Sequence, residues 1–250
     1  MKGALRVETL KLVRSPVGLV ATLAVVAGAL AVLGGITGAV AGGNPEVAAK
    51  AGPAAALNWS GLLAGAAQVT AVGGLIGFGT VLAWMFGREF TDGTITGLFA
   101  LPIGRGRIAW AKLVVHLAWA ACVGVLLAVG VLVLGLLLGY GAPDAATWAG
   151  LGRQIALAVL TGLIVAPVAW IATAARSVFA GVGGTIALVI LAQVGALTGA
   201  GGWMPLAAPA LWAMSAGTAV NAAQLLVVLA VPVVFTMLVC TTWSRLQLRR

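Results

Sequence analysis

The chain has 250 residues, of which 62% are hydrophobic and only 8% charged, against roughly 25% charged in a soluble domain. A sequence this poor in charge cannot cover a water-soluble globule, so soluble enzymes and soluble binding domains are excluded. The formal net charge of +9 does not point to nucleic acid either, because the basic residues stand in short groups between long apolar runs with no stacking platform beside them.

The first residues carry Lys2, Arg6, Glu8, Lys11 and Arg14. A wheel at about 100° per residue gives them no clean apolar face, since Lys11 and Arg14 flank Val7 while Glu8 lies near Leu5 and Leu12. The first apolar run follows at about 17 to 41, and about 20 residues suffice for a helix to cross a bilayer. Ala39 and Ala41 imitate a signal-peptidase site, but the run is longer than a secretory h-region, and cleavage is not expected.

A polar connection with Asn44, Pro45, Glu46 and Lys50 leads to a second span at about 60 to 86. Asn58-Trp59-Ser60 matches the N-glycosylation pattern, a weak signal beside a span. Further spans are expected at about 113 to 140, 150 to 174, 178 to 198 and 220 to 243, each of bilayer-crossing length. Pro167 predicts a kink in the fourth. The connection at about 199 to 219 has no charge and holds Trp203, Pro205, Pro209 and Trp212. It suits either a segment at or dipping into the membrane interface or a plain loop anchored by tryptophans. The expected fold is therefore all-α, a polytopic membrane protein with six transmembrane helices in one transmembrane domain covering residues 1–250.

Twelve of the fourteen Lys and Arg residues fall on one side of these spans: Lys2, Arg6, Lys11, Arg14, Arg88, Arg105, Arg107, Lys112, Arg176, Arg245, Arg249 and Arg250. Only Lys50 and Arg153 fall on the other. The positive-inside rule then places both termini in the cytoplasm. The 36 glycines follow no collagen-like period and read as sites of close helix approach.

The acids are Glu8, Glu46, Glu89, Asp92 and Asp144, and none is expected at mid-membrane, where an ion-coupled carrier needs an ionisable group. Lys112 and His116 are expected near the cytoplasmic start of the third span, where a long or amphipathic side chain can reach the headgroups, and His116 reads as structural or interfacial in preference to a proton relay. Cys122 and Cys240 have no second Cys or His at ligand spacing, and His116 is the single histidine, so no metal site is expected. Paired acids, a His cluster or a nucleophile with its base are also missing, which argues against an enzyme. No G-x-x-x-x-G-K-[ST] loop occurs, because the glycine clusters at Gly73-Gly74, Gly181 to Gly184 and Gly199 to Gly202 lack the following Lys. Any ATPase is a separate polypeptide, with ATP and Mg bound there and no cofactor on this chain. Gln68, Thr70, Gln193, Asn221 and Gln224 are uncharged polar residues in or beside the spans. They are candidates for a substrate path, although buried amides more commonly hydrogen-bond between helices.

The connection between spans 2 and 3 is the most informative segment. Asp92-Gly93 is a turn signal and Thr94 a helix N-cap. A short helix from about Ile95 to Leu101 is then stopped by Pro102. Its apolar residues Ile95, Leu98, Phe99 and Leu101 have no evident core to enter, which points to the membrane surface or to a partner's groove. An acid (Glu89), Gly93-Thr94, a short apolar helix over Leu98 to Leu101, Pro102, Arg105 and Lys112 follow one another here.

In this pattern, and in Glu8, Lys11-Leu12 and Arg14-Ser15 before the first span, the sequence resembles the ABC-2 type permeases, including small six-span members associated with antibiotic export and immunity. The resemblance implies an N-terminal elbow helix on the inner leaflet, marked by Glu8, Lys11 and Arg14. It implies a coupling helix between spans 2 and 3 that seats in a groove of an ABC ATPase subunit. The residues assigned to coupling are Glu89, Gly93, Thr94, Leu98, Phe99, Leu101, Pro102 and Arg105. The partners it implies are that ATPase, a second permease copy and membrane lipid, with no nucleic acid. It further implies an inner-membrane exporter of a hydrophobic or amphipathic substrate such as a peptide antibiotic, drug or lipid. A non-transporting immunity or scaffold protein is the alternative.

Overall fold

The computed structural model describes residues 2–99 and 102–246; Leu101 and the side chain of Phe99 lie outside the described residues. Among these, every regular element is helical. Helix α1 (Lys2–Val13) precedes α2 (Pro16–Ala41) and the short α3 (Pro45–Ala51). The long α4 (Trp59–Thr91), the short α5 (Ile95–Phe99) and the long α6 (Arg105–Leu137) come next. The chain continues through α7 (Ala145–Ile164), α8 (Ala166–Ala174), α9 (Val178–Leu197), α10 (Ala208–Met214) and α11 (Ala222–Arg245). Six segments are long and apolar enough to cross a membrane: α2, α4, α6, α7 with α8, α9 and α11.

Helices α4 and α6 have 33 residues each, about 50 Å at about 1.5 Å per residue, whereas a hydrocarbon core is about 30 Å thick. Both therefore run on past the apolar run. Arg88 and Glu89 belong to the last turns of α4, and Arg105, Arg107 and Lys112 to the first turns of α6. Hydropathy ends a span at the first charges, but backbone hydrogen bonding continues, down to Asp92 N donating to Arg88 O at 2.8 Å.

The corner between α1 and α2 is set by three residues. Ser15 Oγ accepts from Gly18 N at 2.9 Å as the N-cap of α2, and Pro16 begins the helix where its missing N–H is not needed. A Cβ at Gly18 would lie 2.3 Å from the carbonyl oxygen of Leu12, so only glycine allows α1 to fold back this tightly. Pro167 has the effect expected of it: the fourth span breaks into α7 and α8 at Val165, where Val168 N donates to Val165 O at 2.9 Å. Residues 199–219 are not a bare loop, because α10 packs against α4 and α7.

Helix α4 is the centre of the bundle and touches α2, α6, α7, α8, α9 and α10. Phe78, Val81, Leu82 and Phe86 on α4 are fully enclosed. Small residues permit the closest crossings: a Cβ at Gly162 of α7 would lie 2.8 Å from Ala120 Cβ of α6, and one at Gly181 of α9 would lie 2.6 Å from Ala83 Cβ of α4. Helices α2 and α11 are peripheral, with 17% of their most apolar stretches buried against 61% for α7 with α8. The end of α11 is nevertheless tied down. Trp243, which has no exposed surface, donates from Nε1 to Thr173 Oγ1 of α8 at 3.1 Å and meets Phe86 edge-on at 5.8 Å.

Candidate functional site

Four charged side chains from three helices meet where α1, the end of α4 and the start of α6 converge. Lys112 Nζ donates to Glu8 Oε2 at 2.8 Å and to Glu89 Oε1 at 2.7 Å. Lys11 Nζ closes the ring by donating to Glu8 Oε1 at 3.1 Å and Glu89 Oε1 at 2.9 Å. Glu8 is 3% exposed, and Glu89 and Lys112 are 1% exposed. Two carboxylates and two ammonium groups leave the cluster neutral, which is the condition under which buried charge is tolerated. Burial lowers the pKa of Lys11, but its hydrogen bond to Glu89 and the charges of Glu8 and Glu89 outweigh this and hold it above its ordinary value.

The cluster explains why the first residues show no apolar face. The side of α1 turned inward is Ala4, Glu8 and Leu12, spaced at i, i+4 and i+8, so its middle position is an acid held by Lys112. The expectation that Lys112 reaches the headgroups is overturned. Because α6 starts at Arg105, Lys112 lies two turns inside the helix and is enclosed by α1 and α4. His116 takes the structural of the two places expected for it, not the interfacial one. It is 1% exposed and packs against Phe78 and Trp119 with ring centroids 6.4 and 5.9 Å away. Neither ring nitrogen has a hydrogen-bond partner.

The turn after α4 is joined to this cluster. Gly93 has φ +67°, a left-handed conformation suited to glycine. Thr94, just before α5, donates from Oγ1 to Glu89 Oε2 at 2.5 Å, and its carbonyl accepts from Leu98 N at 3.2 Å. Ile95 is buried and Leu98 packs against the main core, so these two apolar residues of the short helix do find a core within the chain, contrary to expectation. Asp92, Gly93, Thr94, Thr96, Gly97 and Pro102 are exposed. Arg88 pairs with Asp92 at 3.5 Å and lies 4.5 Å from the Trp84 ring centroid. Arg105 donates to the Leu246 carbonyl oxygen, tying the start of α6 to the end of α11. Arg14 is exposed at the α1–α2 corner and lines an open groove with Lys11, Arg88 and Asp92.

Of the sequence candidates, Glu8, Lys11, Glu89 and Thr94 are thus brought together and Arg14 shares a groove with Lys11, while Leu98 packs on the main core, Pro102 is exposed and Arg105 is tied to the end of α11. The polar candidates do not converge. Thr70 is buried and accepts from Gln154 Nε2 of α7 at 2.6 Å. Asn221 and Gln224 form a reciprocal capping box at the start of α11. Gln68 and Gln193 line one cavity of about 230 Å³ beside α10. Gln154 was missed by the sequence reading, although an amide inside an apolar run is the signal that would have found it.

A sequence model for the family described as ABC-2 family transporter protein matches residues 4–195. No curated protein sequence gives a significant match. The matched region contains α1, the turn with α5 and the whole Glu8–Lys11–Glu89–Lys112 cluster.

Proposed function

Because the chain belongs to the ABC-2 transporter family, we propose that it is the membrane-spanning permease subunit of an ATP-driven exporter. In this reading it lies in the cell (inner) membrane with both termini in the cytoplasm, paired with a second permease copy. A separate ABC ATPase subunit binds ATP and Mg and docks at the turn carrying α5. The cargo is hydrophobic or amphipathic: a peptide antibiotic, a drug or a lipid.

The observation that carries this reading is the bond from Thr94 through Glu89 to Lys112 and Glu8. A partner that moves the α5 turn pulls on Glu89, and Glu89 is held to α6 and α1 by buried ion pairs. Since α4 and α6 run unbroken from this cluster through the bundle, a displacement at the turn is carried as a rigid-body shift of the helices and is not absorbed in a loop. The exposed surface of the turn, including Thr96 and Gly97, is what remains for the partner.

Gly97→Trp tests the docking role. A side chain at Gly97 meets nothing within 4 Å, so the substitution leaves the fold intact while adding bulk where the ATPase would sit. Loss of ATPase co-purification and of transport, with unchanged thermal unfolding, is the expected result. Undiminished export by the variant would refute ATPase docking at this turn. Retained protection of cells with no associated ATPase would instead favour the non-transporting immunity role.

A further inference from the structure

At the end of the bundle opposite the charged cluster, the starts of α4 and α7 and the end of α10 enclose a cavity of about 240 Å³, with Trp59, Leu63, Ala67, Arg153, Gln154 and Met214 in its walls. Arg153 is half-buried and stands in the third turn of α7, roughly 12 Å along the helix from its start at about 1.5 Å per residue. Among the described residues it makes no hydrogen bond or ion pair.

The chain has five acids, and four of them face other cations. Glu8 and Glu89 hold Lys11 and Lys112, Asp92 faces Arg88 at 3.5 Å, and Glu46 faces Lys50 at 4.0 Å. Asp144 shares the cavity, but it is exposed at the start of α7, where its Oδ1 accepts from Thr147 N at 2.8 Å as the helix N-cap. Among the described residues, therefore, no carboxylate pairs with Arg153. An unpaired guanidinium in a membrane-crossing helix is costly and is retained where something uses it.

We infer that this cavity takes the anionic headgroup, phosphate or carboxylate, of an amphiphile, with Arg153 as its counter-charge. The planar guanidinium matches both groups through two parallel hydrogen bonds. The Trp59 ring forms part of the same wall. The volume suits a headgroup and a few methylenes, being below the roughly 300 Å³ at which pockets for drug-sized ligands begin. The apolar tail then lies outside, along helix faces that are themselves apolar. The inference rests on the transport reading only for the headgroup's origin, and its test measures binding without turnover, so either can fail alone.

The test is native mass spectrometry of the purified full chain in dodecyl maltoside, titrated separately with dodecyl phosphate, phosphatidylglycerol, dodecylphosphocholine and inorganic phosphate. One dodecyl phosphate per chain is expected. Binding should weaken at least about tenfold in Arg153→Gln, in line with loss of a charged hydrogen-bonded pair, weaken less in Arg153→Lys, which keeps the charge without the planar fork, and persist in Lys50→Gln. Ala64→Phe, which fills the cavity and leaves Arg153 in place, should also abolish binding, so the outcome does not depend on one variant folding well. Phosphatidylglycerol binding with the same Arg153 dependence assigns the site to a membrane lipid; binding of the single-chain phosphate alone assigns it to cargo. Equal binding in wild type and Arg153→Gln overturns the inference, as does equal affinity for dodecylphosphocholine or inorganic phosphate.

Discussion

Lys112 and Arg153 are both cations in long apolar helices, at opposite ends of one bundle, and their surroundings differ completely. Lys112 is enclosed by two carboxylates at 2.7 and 2.8 Å, and Arg153 borders a cavity with no acid paired to it. A charge paired in this way holds helices together, because its partners sit on the neighbouring helices. An unsaturated one has donors free for something outside the chain. On the functions proposed above, the two ends of this molecule divide mechanical connection from recognition, and substitutions at each should produce opposite signatures.

The sharpest break is Lys112→Met. It leaves Glu8 and Glu89 buried with Lys11 alone, and removing one partner of a buried ion pair costs about 3–5 kcal/mol. Thermal unfolding in detergent should fall accordingly, and α1 should become accessible to protease; a shift worth under about 1 kcal/mol would mean that the cluster is not the tie described. Next is Gln154→Leu beside the cavity, which removes the 2.6 Å bond to Thr70. Interhelical hydrogen bonds in membranes are worth about 0.6–1.7 kcal/mol, so a modest loss of thermal stability is expected, well below that of Lys112→Met.

Alkaline titration tests the same cluster from its outer edge. Lys11 is raised above 10.5 in the fold, so its ion pairs contribute in full below pH 10.5 and are lost only as pH rises through the folded value. Unfolding temperature should show a Lys11-dependent decline on the alkaline side alone, absent in Lys11→Gln, and small because Lys11 is partly exposed. The least stability change belongs to Arg153→Gln, within about 0.5 kcal/mol. A large loss of stability there would make Arg153 structural and erase the contrast with Lys112.

Much of the architecture was legible in the sequence, and the reason is that hydropathy is a local sum. A run of apolar residues must be helical in lipid whatever else the chain does, so six membrane-crossing segments and the break near Pro167 follow from residues next to one another. The short helix at Ile95–Phe99 was announced by Asp92-Gly93 and Thr94 for the same reason. Family resemblance supplied the interest in Glu8 and Glu89, and periodicity did not support an elbow helix, since Glu8 spoils the apolar face of α1.

What the sequence alone determined is the number of spans and the placing of charge at their ends. Only the tertiary structure decided which charges meet. Lys112 reaches Glu8 across 104 residues and Glu89 across 23, and the pairing exists because α1 folds back at Gly18, while α4 and α6 run on beyond their apolar stretches. The same convergence consumed Glu8 and Glu89, while Glu46 and Asp92 face cations four residues away and Asp144 caps a helix. Ion pairing depends on distances between helices, and those are set by how the bundle packs, not by any local stretch of the chain.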